Sequence, residues 1–233
     1  MKLLPLLAST TTAAVIQKLG VDPGALFPQY DGTCPDVTGT STFDVTPYIA
    51  TPWWTIATSP FFWYSETTAC VSATYKLSEA FPGYVDVFNS ELNPTAKSRL
   101  TPGTNFDTYR RSTSNGTAIQ NPNLEGTLSV TFPYPRLAPE NGANYIVLAT
   151  DNESYSYVWS CGNYPGNKYR PVLWILNKDM DISTEARQQQ VAYAIDLLEY
   201  QFGWDQARDF EGSMYKLVTE GCPAIPDFNE PSD

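Results

Sequence analysis

Apolar and polar residues alternate in several short runs along the middle of the chain, and a period of two marks half-buried β-strands. "GTLSVTFPY" (126–134) is the cleanest case. Leu128, Val130 and Phe132 fall on one face, and Thr127, Ser129 and Thr131 on the other. "ACVSATYKL" (69–77) alternates in the same way, and "GYVDVFNSEL" (83–92) follows after a Pro82-Gly83 turn. "PWWTIATSP" (52–60) predicts a strand ended by Pro60, and the apolar "FFWY" (61–64) that follows reads as a loop or lid. "NYIVLAT" (144–150) and "YSYVWSC" (155–161) flank the turn residues "DNES" and predict a hairpin. "GTAIQ" (116–120) is a short strand, and "YRPVLWILNK" (169–178) is the last strong one. Residues 93–114 are polar, contain Pro94, Pro102 and Gly103, and predict little regular structure.

The period then changes. In "DISTEARQQQVAYAIDLLEYQF" (181–202), Val191, Ile195, Leu198 and Phe202 recur at helical spacing, while Arg187, Gln188 and Gln189 lie mostly off that stripe. Asp181 or Ser183 suits the N-cap, Glu185 the first turn, and Gly203 the stop. One apolar stripe means one helix packed on the outside of something. About eight short strands and one late helix predict an all-β domain. An antiparallel sheet of that size must close or stack to cover its edges. Pattern alone leaves barrel and sandwich both open.

Composition narrows the function. The 233 residues suffice for one domain with a sizeable core, and 17% charged with 14% aromatic residues suits a folded chain. A net charge of −11 without a Lys/Arg cluster excludes a nucleic-acid binder, serves solubility and disfavours anionic membranes. Histidine is absent, which removes a His-containing triad, a His-ligated haem and the common zinc sites. Residues 1–14, with Lys2 ahead of "LLPLL" and then small residues, resemble a secretory signal peptide. No other apolar run approaches the roughly 20 residues that span a bilayer, so no stable membrane insertion is expected. The four cysteines, Cys34, Cys70, Cys161 and Cys222, are too widely spaced for a metal or redox motif and read as two disulfides of a secreted protein, with three pairings open. Asn115 and Asn152 head glycosylation sequons.

Several segments, taken in order, resemble the lipocalin family, most closely its apolipoprotein D-like branch. "FDVTPYIATPWWTIATSP" (43–60) is similar to the first signature, with Trp53 at its tryptophan. "CVSATYKL" (70–77) and "YVDVFNSEL" (84–92) resemble the second and third strands. "NYIVLATDNESYSYVWSC" (144–161) resembles the Thr-Asp hairpin, and "LWILNK" (173–178) the third signature. The resemblance covers roughly residues 34–223. It departs at Thr51-Pro52, where a glycine is usual before the tryptophan, and at Lys178, where an arginine is usual.

The resemblance implies an eight-stranded antiparallel up-and-down β-barrel with one C-terminal α-helix on its outside. The domain would occupy residues 43–223, after an irregular arm (15–42) and before a polar tail (224–233). It implies the pairings Cys34–Cys161 and Cys70–Cys222, which leave no free thiol for catalysis. It places Trp53 and Lys178 on the barrel floor, the lysine cation over the indole. It directs Trp53, Thr55, Ala57, Val71, Ala73, Tyr75, Tyr145, Val147, Ala149, Ser156, Val158 and Trp174 inward. Phe61, Phe62 and Trp63 fall on the loop at the mouth. Small residues mixed with rigid aromatics leave room inside, whereas a filled core prefers Leu, Ile and Phe throughout.

The expected ligand contacts are therefore Ala57, Phe61, Phe62, Ala73, Tyr75, Tyr145, Val147, Ser156, Val158 and Trp174. The expected function is extracellular binding and transport of a small hydrophobic ligand: a fatty acid, sterol, retinoid, carotenoid or bilin. No cofactor, metal or catalytic residue is expected; Asp86, Asp151 and Glu153 read as turn or surface residues. Two alternatives stay open: an enzyme of this fold acting on a lipid or isoprenoid, and a secreted interaction module with a filled barrel. Besides the small ligand, a receptor or a second copy of the chain stays open as a partner.

Overall fold

The computed structural model describes residues 29–60, 68–94, 106, 109–134, 136–138 and 142–225. Residues 1–14, the first half of the arm (15–28), most of the tail and the loop residues Phe61, Phe62 and Trp63 lie outside the described residues. Eight strands form the wall: β2 (Trp53–Thr58), β3 (Ala69–Leu77), β4 (Val85–Pro94), β5 (Tyr109–Gln120), β6 (Thr127–Thr131), β7 (Tyr145–Thr150), β8 (Tyr155–Tyr164) and β9 (Lys168–Asn177). Each pairs antiparallel with the next, and β9 pairs back onto β2. The sheet is thus a closed barrel and not a sandwich. Two-residue strands extend it: β1 (Tyr30–Asp31) on β9, and β10 (Tyr215–Lys216) on β2.

The polar 93–114 region differs from expectation. β5 begins at Tyr109 and pairs with β4 in unbroken register from Val85↔Ala118 to Pro94↔Tyr109. Its first half reads "YRRSTS", and polar residues on both faces hide the strand period.

Helix α2 (Thr184–Asp196) packs on the outer wall. Ser183 caps it, its Oγ accepting from the Ala186 N–H at 3.1 Å, and Glu185 lies in the first turn. A single π-helical turn (Leu197–Gln201) follows, and Gly203, at φ 68°, carries the chain out of it. Val191, Ala194, Ile195 and Leu198 bury against Ile56, Tyr157, Trp159, Leu173 and Ile175 of the wall. Trp204 and Phe210, the latter on α3 (Ala207–Glu211), complete this outer core edge-on to Trp159.

Both disulfides form as the resemblance implied. Cys34–Cys161 joins the arm to β8, and Cys70–Cys222 joins β3 to the C-terminal segment. They close loops with sequence separations of 127 and 152, where chain-entropy reasoning gives about 4–5 kcal/mol each. The arm also crosses the β5–β6 turn at a glycine pair. A Cβ on Gly39 would stand 2.3 Å from the Glu125 carbonyl oxygen, so only glycine fits.

Candidate ligand-binding interior of the barrel

A short helix, α1 (Val45–Tyr48), closes one end of the barrel; the sequence pattern did not reveal it as an element. Asp44 caps it, its Oδ1 accepting from the Thr46 N–H at 2.9 Å. Asp44 with Pro47 in the first turn was the available signal. The helix delivers Tyr48 into the interior. Trp53 Nε1 donates to the Tyr48 carbonyl at 2.8 Å, and Lys178 Nζ lies 4.4 Å from the centroid of the Trp53 ring. The same ammonium donates to the carbonyls of Pro47 and Tyr48, each at 3.4 Å. Burial lowers the Lys178 pKa, partly offset by Asp151 and Glu153. Lys178 therefore ties the floor helix to the end of β9.

The turn after β7 holds the arm against this floor. Asp151 Oδ1 accepts from the N–H groups of Glu153, Ser154 and Tyr155. Burial works to raise its pKa, but these bonds and that from Ser154 Oγ dominate and hold it down at about 2. Asn152 bridges to the arm: its Nδ2 donates to the Thr42 carbonyl at 2.8 Å, and its Oδ1 accepts from the Asp44 N–H at 3.0 Å. Asn115, the other sequon residue, is exposed on β5.

Inside the barrel, Trp53, Val85, Val87, Ala118, Leu128, Val147, Val158 and Leu176 form one cluster, with Tyr75, Val130, Tyr145 and Trp174 packed against it. Val147 and Val158 face each other across β7 and β8, and Val158 and Trp174 across β8 and β9. Ala73 shares the inward face as the partner of Trp53. Thr55 lies opposite Leu176 on that face. Val71 is buried beside the irregularity at Cys70, whose φ is 54°.

Two expected residues do not face inward. Register shifts between Thr55 and Ala57, and between Val147 and Ala149, turn Ala57 and Ala149 into the outer core under α2. A bulge inserts one residue, and a shift of one exchanges the two faces. Thr58 and Thr150 follow inward instead, opposite Trp174 and Ser156. Alternation read from sequence contains no sign of either bulge.

The polar centre of the interior is a chain of phenols. Tyr48 Oη lies 2.7 Å from Tyr145 Oη and donates to Ser156 Oγ at 3.2 Å; Tyr75 Oη lies 3.3 Å from Tyr145 Oη. Burial, above all, raises the pKa of all three tyrosines, that of Tyr75 to about 12. The chain is neutral at physiological pH. Neutral phenols both donate and accept hydrogen bonds.

A hollow of about 480 Å³ lies outside the barrel, lined by Gln188, Val191, Arg208, Glu211 and Lys216 among others. Arg208 there is already paired with Asp196, Glu199 and Glu211.

Known proteins share this architecture. Insecticyanin of the tobacco hornworm Manduca sexta superposes with a TM-score of 0.56 at 20% identity, over 82% of this chain and 92% of that one. No family model matches the sequence. The Lazarillo protein of Schistocerca americana is 31% identical over 153 residues, 64% of this chain and 62% of that protein, so the alignment spans less than two thirds of it. Apolipoprotein D of Oryctolagus cuniculus is 30% identical over 167 residues, 72% of this chain and 75% of that protein. The chain belongs to the lipocalin family. As in the expected lipocalin plan, Trp53 and a basic side chain meet at the floor, and in this lipocalin the cation is a lysine.

Proposed function

We propose that this lipocalin binds and carries a small hydrophobic molecule inside its barrel. One observation carries the reading. Ala73, Tyr75, Val130, Tyr145 and Trp174 point into the barrel, yet each keeps part of its surface accessible. Residues that face inward without being sealed line a hollow, whereas those of a filled core are sealed. The family's members bind small hydrophobic ligands, which agrees. Apolar burial, at about 25 cal/mol per Å², supplies the driving force. The phenols and Ser156 supply the few polar contacts that orient a ligand in such a pocket.

Two long-range disulfides suit an oxidising, extracellular setting. Asn115 is the better placed of the two sequon residues to carry a glycan, because the Asn152 amide already holds the arm. No enzymatic step is assigned to the interior.

The reading is tested by titrating the protein with the neutral fluorescent probe N-phenyl-1-naphthylamine. Micromolar binding is expected, with Trp174→Ala weakening it about tenfold while the circular dichroism spectrum is kept. Absence of binding by the intact protein would overturn the carrier reading. Unchanged affinity of the variant would remove Trp174 from the pocket. Solvent extraction of protein from its native source, followed by mass spectrometry, would identify the ligand.

A further inference from the structure

The direction of the phenol chain follows from counting protons. A phenol has one hydrogen to donate. Tyr48 Oη spends its hydrogen on Ser156 Oγ. Its contact with Tyr145 is therefore one in which Tyr145 donates. Tyr145 then has no hydrogen left for Tyr75, so Tyr75 donates to Tyr145. Every phenolic hydrogen runs one way, from Tyr75 through Tyr145 and Tyr48 to Ser156. What the free end of this chain offers the hollow is the lone-pair side of the Tyr75 oxygen.

A second acceptor stands nearer the open end. Glu91 shares the inward face of β4 with Val85 and Val87, in unbroken register. Its Oε1 accepts from Asn93 Nδ2 at 3.0 Å, and the same Asn93 amide reaches Ser112 Oγ at 3.4 Å. Asn93 Oδ1 in turn accepts from Thr68 Oγ1 at 3.1 Å. Asn93 is thereby held in place as a brace for the carboxylate. Val87, the partner of Tyr75, lies four positions from Glu91 along β4, roughly 13 Å at the rise of a strand. The interior thus presents acceptors at two heights.

We infer that the interior takes an apolar molecule whose polar end donates hydrogen bonds, an alcohol or an amine rather than a free carboxylic acid. This rests on the carrier reading above and names the ligand class for the same site. A carboxylate bound at the height of Glu91 meets a part-buried carboxylate, and two carboxylates side by side disfavour each other. Burial raises the Glu91 pKa, while the bond from Asn93 favours its charged form. To be bound at the other height a ligand carboxylate must draw the Tyr75 hydrogen away from Tyr145 and break the buried chain. A hydroxyl or ammonium meets an acceptor at either height without disturbing a bond. The nearby arginines do not reverse this. Arg111 faces outward, its Nη1 donating to Ser90 Oγ at 2.8 Å. Arg110 takes the register position opposite Asn93 but is exposed at the rim, where solvent screens its charge.

The test uses two ligands with one skeleton, all-trans-retinol and all-trans-retinoic acid, titrated at pH 7.5 and read by quenching of tryptophan fluorescence. Retinol is expected to bind at least about tenfold tighter. Glu91→Gln, which keeps the shape and removes the charge, is expected to cut that ratio to below about threefold, chiefly by tightening the acid. Tyr75→Phe, which removes the acceptor, is expected to weaken retinol. Equal or tighter binding of the acid would overturn the inference, and so would a ratio unmoved by Glu91→Gln. Either result, with the neutral naphthylamine probe still bound, leaves the carrier reading standing. If neither retinoid nor that probe binds, both fall.

Discussion

Lys178 Nζ stands 4.4 Å from the centroid of the Trp53 ring while donating to the carbonyls of Pro47 and Tyr48. One side chain from the end of β9 thus fastens the tryptophan of β2 and the floor helix together. A cation over an indole and two hydrogen bonds from a charged donor together stabilise by about 1–3 kcal/mol at a partly exposed site. Lys178→Met should lower unfolding stability by that amount in guanidinium titrations. Lys178→Arg should retain it, because the guanidinium stacks on the same ring. A Lys178→Met variant as stable as the parent would show that the floor is held by Trp53 packing alone.

Tyr145 joins Tyr48 to Tyr75, so Tyr145→Phe removes two hydrogen bonds at once. Leaving buried partners unpaired costs about 1–3 kcal/mol, to be read from chemical denaturation. The variant should also behave differently in alkali. Burial raises the phenol pKa values in the folded state above the ordinary 10.0, that of Tyr75 to about 12. A raised folded-state pKa gives stability that is complete below pH 10 and is lost as pH rises through about 12. Alkaline unfolding should therefore set in above pH 10, and Tyr145→Phe should flatten that limb. Ultraviolet phenol titration should find fewer than the 15 tyrosines of the chain ionising before the fold is lost.

Asp151 has the opposite sign. Its folded pKa lies at about 2, below the ordinary 3.8, so its contribution is present above pH 3.8 and lost as pH falls through about 2. Asp151→Ala should be less stable than the parent at neutral pH, since the turn loses the acceptor for three N–H groups. The difference should shrink between pH 4 and pH 2, as followed by circular dichroism. A difference independent of pH would mean that the carboxylate charge is not what closes the turn.

Gly39 and Gly126 let the arm and the β5–β6 turn touch backbone to backbone. Gly39→Ala should separate them and lower the thermal midpoint by several degrees, whereas Gly83→Ala should act through its positive φ alone, since nothing lies within 4 Å of its side. Hydrogen exchange should show the Thr40 N–H, bonded to the Val147 carbonyl at 2.8 Å, losing protection only in the Gly39 variant.

Much of this lipocalin was legible before any tertiary structure. β3 spans the same residues as the alternating segment "ACVSATYKL", and Ser183, Glu185 and Gly203 mark the limits of α2 and its π-helical turn where capping rules put them. The disulfide pairing was legible through resemblance alone. The candidate site was less so. Tyr48 sits in a four-residue helix too short to show a period, and Glu91 lies in a stretch whose inward face is polar.

Local periodicity by itself determined most of the strands, the late helix and the all-β class, because side-chain alternation follows from backbone geometry within each segment. Composition, separately, removed histidine from the available side chains. Only the tertiary structure decided which side chains meet inside. Closure of β9 onto β2 chose barrel over sandwich. Two bulges exchanged Ala57 and Ala149 for Thr58 and Thr150 at the wall. Contacts between residues as distant in sequence as Tyr48 and Tyr145 set the direction of the buried protons. Register and proton direction are properties of strands and groups already brought together, so no single segment encodes them.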